Sequence, residues 1–109
     1  MSNVIDELYE VTLERKTNPE EGSYTCYLFA QGLDKILKKC GEEMTEVIIA
    51  AKNGAAVEDG TKDALIGEIG DVMYHLIVLM AQTGISMEDL YALLGERRKK
   101  IGNLKPGVA

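Results

Sequence analysis

Apolar residues recur every three or four positions along nearly the whole chain, and no useful length alternates with period two. The sequence therefore supports helices and no strands. Val4, Ile5, Leu8, Val11 and Thr12 mark a first helix over residues 4–16, capped by Asn3 with Asp6 and Glu7 in its first turn. The stretch Asn18-Pro19-Glu20-Glu21-Gly22 stops it. Ser23 is placed to cap a short helix, YTCYLFAQ, which Gly32 interrupts. From Leu33 to about Lys52, a stripe of Ile36, Leu37, Cys40, Met44, Val47, Ile48 and Ala51 predicts a long helix ended by Asn53-Gly54, with GAAVEDG as a loop. A second long helix is expected from a Thr61 cap to Thr83, with Gly84 at C′ and a stripe of Leu65, Ile69, Val72, Met73, Leu76, Leu79 and Met80. Ser86 and Asp89 form a near capping box for a last helix ending around Ile101-Gly102. The expected fold is all-α and bundle-like, with four or five helices. At 109 residues, the chain fits one domain over 1–109.

Charge narrows the partners. Twelve basic against 18 acidic residues give a net charge of −6, which disfavours the broad positive patches of nucleic-acid binding. An anionic small substrate stays open, because a bound cation inverts the local field. Cys26 and Cys40 are too few for a disulfide framework or a zinc site and read as buried free thiols. The start MSNVIDELYEV is acidic where a signal peptide is basic, and no run is expected to be apolar enough to span a bilayer. The expected compartment is the cytosol, with no membrane partner.

Within the two long helices, carboxylates recur at positions that share a face. Glu43 and Glu46 are an i,i+3 pair, Glu42 stands i,i+4 to Glu46, and Glu43 lies on the edge of the apolar stripe. Glu68 and Asp71 repeat the arrangement on the second helix, and His75 continues their line one turn on. Like charges at this spacing destabilise a helix by about 0.2–0.5 kcal/mol per pair, and desolvation at a packing edge adds to that cost. Two such pairs on successive antiparallel helices could converge into the oxygen-rich, negative environment that a hard divalent cation prefers. Spacing alone equally allows solvated charges flanking a core. A di-iron bundle needs Glu-x-x-His motifs that are absent here, and zinc lacks its Cys and His ligands.

The runs SYTCYLFAQGLDKILKKCGEEMTEVIIAAKN and LIGEIGDVMYHLIVLMAQTGISMEDLYALLGERRKK resemble the phosphoribosyl-ATP pyrophosphohydrolases, which act at the second step of histidine biosynthesis. The likeness extends from about Val4 to Lys100. Glu43-x-x-Glu46 with Glu68-x-x-Asp71 is similar to the signature of the broader all-α (MazG-like) nucleotide pyrophosphohydrolases; the surrounding run points to the histidine-pathway family. The resemblance implies Mg²⁺-dependent hydrolysis of phosphoribosyl-ATP to phosphoribosyl-AMP and pyrophosphate. It also implies an intertwined homodimer or higher oligomer, and the stand-alone form of the enzyme. One departure is the pair Gly67 and Gly70, where Ala or a bulkier residue is expected. Each costs the helix about 1 kcal/mol relative to Ala, so close helix packing is expected there.

Under that resemblance Glu43, Glu46, Glu68 and Asp71 are the expected Mg²⁺ ligands, and Glu42 or Glu46 is the candidate for taking a proton from the attacking water. Of Lys35, Lys38 and Lys39, at least one is expected only to solvate the exposed face; Lys39, nearest in angle to Glu43, is the best candidate for a phosphate contact. Arg97 and Arg98 either bind phosphate or, with Lys99 and Lys100, simply oppose the helix dipole. Lys52 and Asn53 either reach substrate or cap the helix. His75 reads as a hydrogen-bonded core histidine or as a residue orienting a carboxylate. Tyr24, Tyr27, Tyr74 and Tyr91 occupy core-like positions, any of which could stack on adenine. Two other functions fit the residues: hydrolysis of ordinary nucleoside triphosphates, and a helical dimerisation or adaptor module whose acids are surface charge.

Overall fold

Side-chain caps and glycines divide the chain into five α-helices, and among the described residues there is no strand. The computed structural model describes residues 3–55 and 59–100. Helix α1 is Val4–Thr17, α2 Tyr24–Gln31, α3 Leu33–Ala50, α4 Asp59–Thr83 and α5 Met87–Arg97; a π-helical turn, Ala51–Ala55, extends α3, and a 3₁₀ turn, Arg98–Lys100, extends α5. The Asp6 N–H donates to Asn3 Oδ1 at 2.9 Å and the Cys26 N–H to Ser23 Oγ at 3.1 Å, so both expected caps are formed. Gly32, at φ 93° and ψ −177°, is the one residue between α2 and α3. That conformation is essentially reserved for glycine, so the break is written into the sequence.

Gly84 sits at φ 79°, and the Ile85 N–H reaches back to the Met80 carbonyl at 2.9 Å, closing α4 with a Schellman-type bond. Ser86 and Asp89 then form a complete capping box at the start of α5. Two expected boundaries shift. Asn53-Gly54 does not stop α3, because the backbone runs on through the π-helical turn that contains both residues. Thr61 is no cap, since α4 already begins at Asp59 and leaves little of the expected loop. The expected end at Ile101-Gly102 lies outside the described residues.

The core has two adjoining parts. Tyr9, Ile77, Met80, Ala81 and Met87 join α1, α4 and α5, with Ile5, Leu8, Leu13 and Leu90 packed around them. Leu28, Ile36 and Val78 join α2, α3 and α4, and Phe29 touches both parts. Polar ties lock the α1–α4 contact: the Tyr9 hydroxyl donates to the Ile85 carbonyl at 2.8 Å, and Lys16 Nζ to the Ala81 carbonyl at 3.0 Å. Lys16 thereby places a cation at the C-terminal end of α4, where the helix dipole is negative. Cys26 and Cys40 are free thiols, half-buried where full burial was expected.

Much of the expected core is not inside. On α4, Ile69, Met73 and Leu76 are exposed, as is Ile66 at 59 %. Leu37, Met44 and Ile48 of α3 are also exposed, and on α1 Val4 and Val11 face outward while Tyr9 and Thr12 are buried. A side chain at Gly67 or Gly70 would meet nothing within 4 Å, so these glycines do not serve close packing inside the chain. The radius of gyration, 16.3 Å, exceeds the ~13 Å typical of a compact domain of this length. By length and composition Lys62–Thr83 is also apolar enough to cross a membrane, at a mean hydropathy of 1.6, contrary to the sequence expectation. The reason is packing: α4 contacts α1, α2 and α3 and carries apolar residues on the open side as well.

Leu28 is completely buried, so Leu28→Ala should cost about 2–5 kcal/mol in urea unfolding. Ser86→Ala removes half of a capping box and should cost about 1 kcal/mol in the same measurement.

Candidate metal and phosphate site

The α3–α4 hairpin converts two sequence-distant acid pairs into one cluster. Glu43 from α3 and Glu68 and Asp71 from α4 each offer a carboxylate oxygen, and these oxygens lie within 4.8 Å of one another. Glu43 and Glu68 are half-buried and Asp71 is exposed. Glu46, one turn past Glu43, is exposed and stands outside this close trio, yet its charge still acts on Glu68. An i,i+3 step rotates a side chain about 60° around the helix axis, so Glu43 and Glu46 cannot face α4 equally.

Electrostatics marks Glu68 as the pressured member. Burial raises its pKa above the ordinary carboxylate value, and the charges of Asp71, Glu46 and Glu43 push it further in the same direction. The carboxylates therefore repel one another without internal compensation at Glu68. A hard divalent cation relieves that repulsion and takes oxygen ligands of this kind, so the donor set fits Mg²⁺ or a similar ion. Glu42 is exposed, stands outside the trio and contacts Lys39.

Lys39 Nζ lies 3.4 Å from Glu42 Oε1 and 3.4 Å from Glu43 Oε1. Burial pulls its pKa down, but hydrogen bonding and charge from Glu42, together with Tyr24 and Glu43, outweigh that, and the ammonium is held above its ordinary value. Both contacts are longer than the usual 2.7–2.9 Å of a tight charge-assisted bond. Lys39 is thus a cation on the rim of the acid cluster, loosely paired.

The other expected binding residues are not gathered there. Lys52 and Asn53 are exposed on the π-helical turn. Arg97 ends α5 and Arg98 begins the 3₁₀ turn; both are exposed, and among the described residues neither forms an ion pair. Helix α5 packs through its first residue, Met87, against Met80 and Ala81, two to three turns beyond Asp71. Lys35 lies over the Tyr27 ring, 5.9 Å from its centroid, and Lys38 is exposed.

His75 is 4 % exposed and bonded at both ring nitrogens, as a satisfied core histidine should be. It touches the backbone carbonyl of Asp71 and not the carboxylate. Of the four tyrosines expected in core-like positions, Tyr24, Tyr27 and Tyr91 are exposed, and only Tyr74 is half-buried. Tyr24 was a candidate only for stacking on adenine; burial raises its phenol pKa, and the charges of Lys39 and Glu43 also act on it. No residue spacing could have signalled this, because it depends on how α2 crosses α4.

Comparison with known proteins gives one consistent answer. The family model described as phosphoribosyl-ATP pyrophosphohydrolase matches residues 5–98. A phosphoribosyl-ATP pyrophosphatase of Clostridium novyi is 56 % identical over 104 residues, covering 95 % of this chain and 89 % of the relative. Proteins of the same description from Pelotomaculum thermopropionicum and Streptococcus thermophilus are 53 % and 50 % identical, over 90 % and 93 % of this chain and 94 % and 91 % of theirs.

The raised pKa of Glu68 fixes the sign of a pH effect. A carboxyl whose folded pKa is raised binds its proton more tightly when folded, so its contribution is full below the unfolded value of about 4.3 and is lost as pH rises through the folded value. Without added metal, Glu68→Gln should therefore melt above the unmodified protein at pH 7, and the gap should narrow toward pH 4. Thermal melts across that range, in chelator, check both the sign and the narrowing.

Proposed function

The chain belongs to the phosphoribosyl-ATP pyrophosphohydrolase family, and from that premise we propose how its residues carry the family reaction. The protein is a hydrolase that converts phosphoribosyl-ATP to phosphoribosyl-AMP and pyrophosphate in histidine biosynthesis. In our reading Glu43, Glu68 and Asp71 hold Mg²⁺, with Glu46 as a further ligand from the adjacent turn. The observation that supports this most directly is three carboxylate oxygens from two helices within 4.8 Å, with the pKa of Glu68 raised by burial and then by the neighbouring carboxylates. A bound Mg²⁺ would neutralise charge on the phosphate oxygens and favour ionisation of water.

The chain's own groups divide the remaining work. Lys39 exchanges its loose contacts with Glu42 and Glu43 for the oxygens of the triphosphate. Glu42 or Glu46, both exposed beside the cluster, takes the proton from the attacking water. Lys52, Arg97 and Arg98 serve the phosphoribosyl end of the substrate in this reading, Arg97 and Arg98 from a second copy of the chain or after movement of the 3₁₀ turn. The reaction takes place in the cytosol, and the working unit is a single domain paired with a second copy of itself.

Pairing is supported by the open apolar face. Ile66, Ile69, Met73 and Leu76 repeat at heptad-like spacing along α4, and Leu33, Leu37, Met44 and Ile48 line one side of α3. Gly67 and Gly70 lie beside or within the α4 row with nothing opposite them, so a partner helix can approach closely. So large an exposed apolar surface is unusual for a monomer and typical of an obligate interface.

Two outcomes are expected. Glu43→Gln and Asp71→Asn should each lower pyrophosphate release from phosphoribosyl-ATP by at least about a hundredfold while far-UV circular dichroism stays unchanged; activity surviving both changes would refute the cluster's role. Turnover of deoxynucleoside triphosphates at a comparable rate would instead favour the housekeeping reading, and absence of any Mg²⁺-induced rise in melting temperature would favour the adaptor reading. Met73→Glu, placed on the open face of α4, should shift the protein from dimer to monomer in sedimentation equilibrium. A monomeric unmodified protein would refute the pairing.

A further inference from the structure

Glu43 is the member of the acid trio that already has a cation beside it. Lys39 Nζ stands 3.4 Å from Glu43 Oε1 and 3.4 Å from Glu42 Oε1. Among the described residues, no ion pair reaches Glu68 or Asp71. Helix stability does not call for the Lys39–Glu43 pair. At i,i+4 the better order puts the carboxylate N-terminal to the lysine, and here the lysine comes first. What the pair does relieve is burial: the Glu43 side chain is 15 % exposed, against 49 % for Glu42. A carboxylate taken that far from water needs a compensating charge, and Lys39, one turn earlier on α3, supplies it.

The same carboxylate has a second claimant. Glu43 offers an oxygen within 4.8 Å of oxygens from Glu68 and Asp71. Mg²⁺ binds oxygens at about 2.0–2.1 Å, so an ion taken up there would lie only a few ångströms from the ammonium. That is inside the Debye length of about 8 Å at physiological salt, so the two positive charges would repel. Lys39 can yield without losing every partner, because Glu42 is an equally distant and more exposed seat. Both contacts are longer than a tight charge-assisted bond, so the exchange sacrifices little.

We propose that Lys39 is a stand-in cation for Glu43 and competes with the divalent ion for the acid trio. This role rests on the reading of Glu43, Glu68 and Asp71 as metal ligands. With no metal bound, the ammonium occupies Glu43 and limits how tightly the trio takes an ion. An anionic group that draws the ammonium off Glu43 lifts that limit, so polyphosphate and metal support each other's binding.

The test is calorimetric titration of Mg²⁺ into the full-length protein without nucleotide. Lys39→Met keeps an unbranched, helix-favouring side chain and removes the charge. It should bind Mg²⁺ about tenfold more tightly, the size of the repulsion between a single and a double charge a few ångströms apart in a near-aqueous medium. Lys39→Arg retains the charge and should stay within about threefold of the unmodified protein. Lys38 is exposed and, among the described residues, forms no ion pair. Lys38→Met should therefore shift the affinity by less than about threefold. Thermal melts give a second readout. In chelator, Lys39→Met should melt below the unmodified protein, because Glu43 has lost its cation, and in saturating Mg²⁺ the gap should close. A lysine that merely stabilised α3 would lower both melts equally. The proposal is overturned if Lys39→Met binds Mg²⁺ no more tightly than the unmodified protein, or if Lys38→Met tightens binding as much. Equal affinity in the unmodified protein and Lys39→Met refutes the competition alone, whereas Mg²⁺ binding to neither refutes the metal reading and the competition together.

Discussion

Like charges gathered on two neighbouring helices are the constraint around which this molecule is arranged. Glu43, Glu68 and Asp71 would separate if the backbone allowed it, since among the described residues no cation pairs with all three. What prevents separation is the packing of α3 on α4 around Ile36, Val78 and Leu28, which lies well to one side of the acids. The apolar core thus supplies the free energy that holds an electrostatically unfavourable cluster in place, and Lys39 offsets only part of the repulsion. A cluster built this way is preformed, and a cation bound there would lower its strain.

The short helix α2 has a different task. A single glycine in a conformation closed to other residues separates it from α3, so α2 folds back onto α4 and does not continue the α3 rod. That return brings Leu28 into the core and sets Tyr24 against His75. One positive-φ residue therefore couples the stability of the bundle to the composition of the site's rim.

Local signals carried most of the fold. Caps at Asn3, Ser23 and Ser86 and the glycine at 84 are set by contacts within a few residues, and each formed as the sequence implies. Asn53-Gly54 misleads because a π-helical turn absorbs both residues, a geometry with no distinctive composition. The apolar stripes of α3 and α4 were legible as stripes, but a face turned toward a core and one turned toward a second chain have the same periodicity. Ile69 and Met73 therefore looked internal and are not. For the site, spacing identified the acid pairs, whereas the hairpin's register decides that Glu43 joins Glu68 and Asp71 more closely than Glu46 does. The Tyr24–His75 contact spans 51 positions and leaves no trace in local pattern.

The open apolar side of α3 and α4 also has a kinetic consequence. If the second copy is what covers it, completing the structure is a bimolecular event, and its rate depends on how many chains are present. A newly made chain would hold Ile48, Ile66 and Ile69 in water until it met another, the interval in which off-pathway association competes. Supply of the chain, and not only its sequence, would then set the fraction that matures. Dilution would act on this protein as a slow denaturant.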